Sequence, residues 1–207
     1  MKQHSSIDDG DNMRLKRKHQ SRRKIVWIIL SSLILIVTWL LASYPTKHNE
    51  RDVFLKSYQL DGMNVQEMVA HLESISGEPN GFQASITGQY LFLGNGDYAY
   101  PFDLPYNQFY LSIAPYLEQT HPCSNHNLVT CRGELKSREF DVIIKDLVNG
   151  EFIVNGTYTS SPQGFFGVWL KQNRQYQITV MYEGYQSIAY VSTKPTDPTC
   201  LTTMKLM

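Results

Sequence analysis

The chain has 207 residues, 42% of them hydrophobic and 12% aromatic, with 19 basic against 19 acidic side chains and three cysteines. This balance excludes an intrinsically disordered chain, a collagen-like repeat, a multi-span membrane protein and a cysteine-dense disulfide scaffold. The zero net charge is a cancellation: residues 1–44 carry eight basic and three acidic side chains, net +5, and the remainder carries eleven and sixteen, net −5.

The basic stretch Arg14–Lys24 directly precedes Ile25–Ser43, IVWIILSSLILIVTWLLAS, which has no charged residue. At about 1.5 Å per residue a helix of this run is roughly 28 Å long, close to the hydrocarbon thickness of a bilayer. Trp27 and Trp39 sit near its two ends, where amphipathic rings favour the interface, and the adjoining positive charge keeps the N-terminal side cytoplasmic. The run exceeds the apolar core of a cleavable signal, and the exit LLASYP lacks a small-x-small cleavage site. The expectation is a basic cytoplasmic tail over 1–24 and a single-pass signal-anchor helix over 25–43 in the cell membrane, with the rest of the chain outside the cytoplasm. The basic tail orients the chain, and nucleic acid is not an expected partner.

After a polar linker at 44–51, a short helix is expected around 52–59, ending at the Asp61-Gly62 turn. Asn64-Val-Gln-Glu67 has the form of a capping box, and Val65, Met68, Val69 and Leu72 follow at helical spacing, which predicts an amphipathic helix over 64–76. The pattern then changes to short strands. Residues 90–93 and 98–102 flank Asn95-Gly96, a pair that favours a type I′ hairpin, and 109–113 is a further strand. From 139 onward the strands 139–145, 152–159, 165–170, 176–182 and 187–192 recur at regular spacing, punctuated by Asn149-Gly150, Gln163-Gly164 and Glu183-Gly184. This spacing argues for a β-sandwich, with Trp169 in its core. The expected fold class is α+β: a small N-terminal α+β domain over 52–117, then an antiparallel β-sandwich domain over 118–207.

The chemistry concentrates in His121-Pro-Cys123-Ser-Asn-His126-Asn-Leu-Val-Thr-Cys131, with the third cysteine at Cys200. In an extended chain Cys123 and Cys131 would lie roughly 26 Å apart. On a continuous helix Cys123 and His126 would share a face and Cys131 would not. Pro122, Ser124, Asn125 and Asn127 are turn formers, so a folded loop is expected, and Pro195 and Pro198 make the approach to Cys200 irregular too. Three thiols with one or two imidazoles suit a soft cation, either Cu(I) or zinc in a Cys3His site, and the absence of any C-x2-C pair excludes the zinc-finger and ferredoxin spacings. One disulfide with a spare thiol is the alternative that spacing leaves open. Met63 and Met68 are read as core rather than thioether ligands, and His71 as a surface residue.

Around this cluster the chain resembles the CueP family of exported copper-binding proteins over roughly residues 53–207. The resemblance runs through Tyr58-Gln-Leu-Asp-Gly-Met63, Phe109-Tyr-Leu-Ser-Ile-Ala-Pro-Tyr116, Thr120-His-Pro-Cys-Ser-Asn-His126, Thr130-Cys-Arg-Gly-Glu-Leu135, Gly164-Phe-Phe-Gly-Val-Trp-Leu170 and Asp197-Pro-Thr-Cys-Leu-Thr-Thr203. It implies that Cys123, Cys131 and Cys200 hold Cu(I) with the help of His126, beside His121 of the same cluster. It also implies a role in copper tolerance or delivery, with thiol-assisted reduction of Cu(II), an exported superoxide dismutase as recipient and a V-shaped homodimer joined through the N-terminal domains. The expected tether departs from the family pattern, whose members are free behind a cleavable signal. Two other functions compete: a thiol–disulfide exchange protein, opposed by the missing C-x-x-C, and a structural surface module stapled by Cys123 and Cys131. No Ser-His-Asp set, phosphate loop or pair of acids spaced for hydrolysis stands out, so the chain is not read as an enzyme and no catalytic residue is assigned.

Overall fold

The computed structural model describes residues 27–40, 47–75, 81–96 and 98–207. The chain divides into two compact units, Met1–Gln59 and Leu60–Met207. In the first unit, residues 27–40 form helix α1, with every side chain exposed. Ser31, Ser32 and Thr38 donate to carbonyls three residues back at 2.8–3.0 Å, so their hydroxyls are satisfied within the helix. Among the described residues no helix is long and apolar enough to cross a membrane. The described part of the expected anchor is fourteen residues, short of the ~20 that a span requires. Residues 25–26 and 41–43 of that anchor, and the basic tail, lie outside the described residues.

Helix α2, Lys47–Ser57, begins inside the expected linker, so most of 44–51 is not linker. Glu50 in its first turn and Lys56 in its last complement the helix dipole, a signal that the polar character of 45–51 hides. The helix closes with Gln59 at φ 59°, a left-handed residue that stops it just before the Asp61-Gly62 turn.

In the second unit, α3 (Val65–Ser74) starts on the expected capping box. The Asn64 side chain accepts the Glu67 N–H at 3.0 Å, and the Glu67 carboxylate accepts the Asn64 N–H at 2.7 Å. Met68, Val69 and Leu72 form its buried stripe.

The strands are β1 (Gln83–Ile86), β2 (Tyr90–Gly94), β3 (Ala99–Asp103), β4 (Gln108–Ile113), β5 (His126–Asn127), β6 (Glu139–Asp146), β7 (Phe152–Thr159), β8 (Phe166–Lys171), β9 (Gln175–Tyr182), β10 (Tyr185–Ser192) and β11 (Cys200–Leu201). Among the described residues they make three sheets, in the orders β3-β2-β1-β5, β11-β4-β8 and β10-β9-β6-β7. Pro101 is tolerated because β3 is an edge strand. Gly94 pairs with Ala99, so the Asn95-Gly96 hairpin closes through four residues rather than the two of a type I′ turn. The two-residue turn lies instead at Glu183-Gly184, both at positive φ, between Tyr182 and Tyr185.

The second and third sheets face each other across one core, which includes Phe109, Leu111 and Ile113 of β4, Phe140, Val142 and Ile144 of β6, Val168 and Leu170 of β8, and Ile178 and Val180 of β9. Each such side chain, fully buried, contributes about 1.5–3 kcal/mol. Trp169 is not in that core. It lies between Val168 and Leu170, so strand alternation turns it to the opposite face, where its ring meets Tyr110 at 4.9 Å.

The expected domain boundary at 117/118 does not hold. Strand β4 pairs with β8, and β5 pairs with β1, so the pairing crosses the boundary in both directions. The physical reason is that β4 has two buried faces. Phe109, Leu111 and Ile113 serve the sandwich, and Tyr110, Ser112 and Ala114 serve the other side, where the cysteines gather.

Candidate metal centre

Cys200 reaches the centre through backbone pairing. It is aligned with Ser112 in the parallel β11–β4 pair, and its N–H, with that of Thr199, points to the Ser124 carbonyl. Thr199 clamps the opposite strand as well: its hydroxyl donates to the Ile86 carbonyl at 2.7 Å and accepts the His126 N–H at 3.0 Å. His126 is itself aligned with Ile86 in the β5–β1 pair. The loop carrying the other thiols is shaped by Asn127, whose side-chain oxygen accepts from Val129 and Thr130 at 3.0 and 2.9 Å. The Asn127 N–H points at the Cys131 sulfur at 3.4 Å, and the Cys131 N–H returns to the Asn127 carbonyl at 3.2 Å. Arg132 fastens the same turn by donating to the carbonyls of Val129 and Cys131.

These constraints bring the five residues expected from the sequence into two overlapping groups. The donor atoms of His126, Cys131 and Cys200 lie within 4.8 Å of one another, and so do those of His121, Cys123 and Cys131. The Cys200 sulfur is 3.6 Å from Nδ1 of His126, and the Cys123 and Cys131 sulfurs are 3.6 Å apart. All three cysteines are free. The Cys123–Cys131 staple is therefore absent here, since a disulfide bond is about 2.05 Å long. Cys200 and His126 are buried, whereas His121, Cys123 and Cys131 are half-exposed.

Phe165 forms the apolar floor. It is buried with Ala114 and Cys200, and Cys123 and Cys131 pack on that cluster. Its ring lies 4.7 Å from that of His126 and 6.1 Å from that of His121. Glu73, near the end of α3, approaches Nε2 of His126 at 3.3 Å. The contact joins charge with a loosely aligned hydrogen bond. The buried phenol of Tyr110 is pushed well above its ordinary pKa by burial and by the charge and hydrogen bonding of Glu73. A second tie from α3 is the Gln163 side chain, which donates to the Ile75 carbonyl at 2.7 Å.

The protons are unevenly shared. A hydrogen bond from Cys200 outweighs burial and, with help from His126 and the Asn127 N–H, holds the Cys131 thiol down to about 3. Cys200, the donor to Cys131 and itself buried, is pushed far above the thiol range. Burial raises Cys123 as well, and the neighbouring Cys131 charge adds to this. Burial alone would lower His126, but hydrogen bonds to Cys131 and Glu73 outweigh it and hold the imidazole above its usual value. The resting centre is thus one thiolate, Cys131, beside His126, with two thiols in reserve.

Glu73, Phe165 and Thr199 are contributors that the sequence reading passes over. Glu73 was detectable: it follows Val69 by four residues, which places an acid on the buried stripe of α3. Met68 is in the buried stripe, as expected, and His71 is half-buried rather than fully on the surface.

Residues 67–205 match the family model for the periplasmic copper-binding protein CueP. A crystal structure of S.CueP is similar to this chain, with 35% sequence identity and a TM-score of 0.72, over 76% of this chain and 97% of that one. No curated protein matches the chain.

Proposed function

Because the chain belongs to the CueP family of periplasmic copper-binding proteins, we propose that it captures copper as Cu(I) outside the cytoplasm through Cys123, Cys131, Cys200 and His126. The observation that carries this reading is the convergence of two thiols and an imidazole within 4.8 Å, with the third thiol 3.6 Å from one of them. Thiolate and imidazole donors with no carboxylate in either group suit a soft, monovalent ion. Cys131 offers a ready thiolate. Cys200 and Cys123 each give up a proton as they bind, and His126 binds through Nδ1 while Nε2–H stays directed at Glu73. Zinc is the competing ion, because three thiolates and a histidine also satisfy a tetrahedral site.

Reduction of Cu(II) fits the same pair of sulfurs. The Cys123 thiol and the Cys131 thiolate, 3.6 Å apart, can give one electron each to two Cu(II) ions, forming one S–S bond, two Cu(I) ions and one released proton. An external dithiol then restores the pair, so the step is stoichiometric. The charge asymmetry and the uncharged run 25–43 support a tether at the outer face of the membrane.

The test is competition for Cu(I) between the reduced, anaerobic chain and a chromophoric chelator, repeated with Zn(II). We expect tight Cu(I) binding that Cys131→Ser and Cys200→Ser weaken. Unchanged affinity in both variants, or a preference for zinc, overturns the reading. Extraction of membranes at alkaline pH tests the tether: the chain should stay with the lipid, and a chain lacking residues 1–44 should not.

A further inference from the structure

The two donor groups differ in access. His121, Cys123 and Cys131 are all half-exposed, whereas His126 and Cys200 are buried, and Cys131 belongs to both groups. An open cleft of about 530 Å³ is lined by His121 and Cys131 together with Thr120, Arg132 and Glu134; Cys123, Cys200 and His126 do not line it. Cys131 is also firmly held, by the Asn127 turn on one side and by Arg132 bridging two carbonyls of that turn on the other.

The geometry points to two copper positions in series: an exchange port at His121, Cys123 and Cys131, and a holding position at Cys131, Cys200 and His126, with the ion passing between them on Cys131. This division of labour rests on the copper reading above. In the transfer the Cys131–copper bond is kept. The bonds to His121 and Cys123 break, and bonds to Cys200 and to Nδ1 of His126 form. The proton leaving Cys200 is taken up by the sulfur of Cys123 as it lets go of the ion, so protons and charge balance. The ion never loses all its protein ligands, and the incoming donors already lie within 4.8 Å of Cys131, so each exchange is intramolecular. A buried position alone would hold copper but exchange it slowly, because of its three donors only Cys131 reaches the cleft.

The experiment uses the full reduced chain with Cu(I) as probe, measuring both equilibrium affinity and the rate of transfer to a chelator. His121→Ala and Cys123→Ser should slow transfer to the chelator by about tenfold or more, with a smaller loss of affinity than Cys200→Ser. Cys200→Ser should lose affinity by about tenfold or more. X-ray absorption of the wild-type one-to-one complex, which needs no variant, should give two sulfurs and one nitrogen around copper. Equal affinity losses in Cys123→Ser and Cys200→Ser with unchanged rates, or three sulfurs around copper, overturn the port in favour of a single three-thiolate centre. A wild-type chain that leaves all Cu(I) on the chelator overturns the copper reading itself, a result distinguishable from either.

Discussion

Glu73 Oε1 stands 3.3 Å from Nε2 of His126, and on the far side of the same ring Nδ1 stands 3.6 Å from the sulfur of Cys200. A carboxylate on one ring nitrogen holds the proton there and leaves the other nitrogen with its lone pair toward the thiols, the arrangement by which outer groups orient metal-binding histidines. The helix α3 thereby determines the tautomer of a ligand that lies outside it in sequence.

Replacing that acid should be felt at the metal. Glu73→Ala is expected to weaken Cu(I) binding by about 10- to 100-fold, and Glu73→Gln, which can still accept from Nε2–H, by less. Chelator competition on folded variants measures the difference. Equal losses for both would assign Glu73 a packing role only.

The Cys131 thiolate predicts a pH signature in the metal-free protein. With its thiol held to about 3, Cys131 should be alkylated first and still react at roughly pH 5, where an ordinary thiol is inert. Iodoacetamide labelling with peptide mapping reads this directly. Labelling spread evenly over the three cysteines would contradict it.

Stability should follow the same protonation pattern. Cys131 is depressed in the folded state, so unfolding takes up a proton between about 3 and the unfolded value of about 8.5. Its contribution is present above that window and lost as pH falls through the folded value. Cys200 is raised, so above about 8.5 its unfolded form ionises first and stability falls again with rising pH. His126, also raised, contributes below about 6.5 and loses that contribution as pH rises through its folded value. Denaturant unfolding of the reduced chain should therefore lose stability at both extremes, and Cys131→Ser should flatten the acid side.

Metal uptake should release protons. Cys200 and Cys123 are both held above the ordinary thiol value, so at neutral pH each carries a proton that copper must displace on binding that sulfur, whereas Cys131 carries none. Cu(I) affinity is expected to rise with pH across the neutral range, and calorimetry in buffers of different ionisation enthalpy counts the protons. A pH-independent affinity would mean that the ligand set is wrong.

Gly133 and Gly164 approach each other backbone to backbone: a Cβ on Gly133 would meet the Gly164 carbonyl oxygen, and the Gly133 N–H donates to Gln163 at 2.6 Å. Gly133→Ala should cost about 1–3 kcal/mol by forcing the two segments apart. Because Phe165 follows Gly164 and floors both histidines, copper affinity should fall with it. Thermal unfolding and chelator competition on one sample compare the two effects.

Much of this architecture is legible in the chain itself. The capping box at Asn64 and Glu67, the β-branched and aromatic runs of β6 to β10, and the glycine turns between them are local signals, and local signals survive being read one segment at a time. Strand β1 has only four residues and β5 and β11 two each, too few for any periodicity to register. The Trp169 expectation failed because strand character does not say which of two faces is the core, and the domain boundary failed because β4 is buried on both faces.

The sequence by itself determined the ligand types, the clustering of four donors between His121 and Cys131, the family, and the charge asymmetry around an apolar run. Only the tertiary structure decided which donors share an ion. Cys200 arrives through a parallel pairing with β4, and Glu73 arrives on a separate helix. Burial separates a half-exposed group from a buried one around a common Cys131. These are matters of long-range pairing and of which side of a strand faces inward, and neither is encoded in the spacing of residues along the chain.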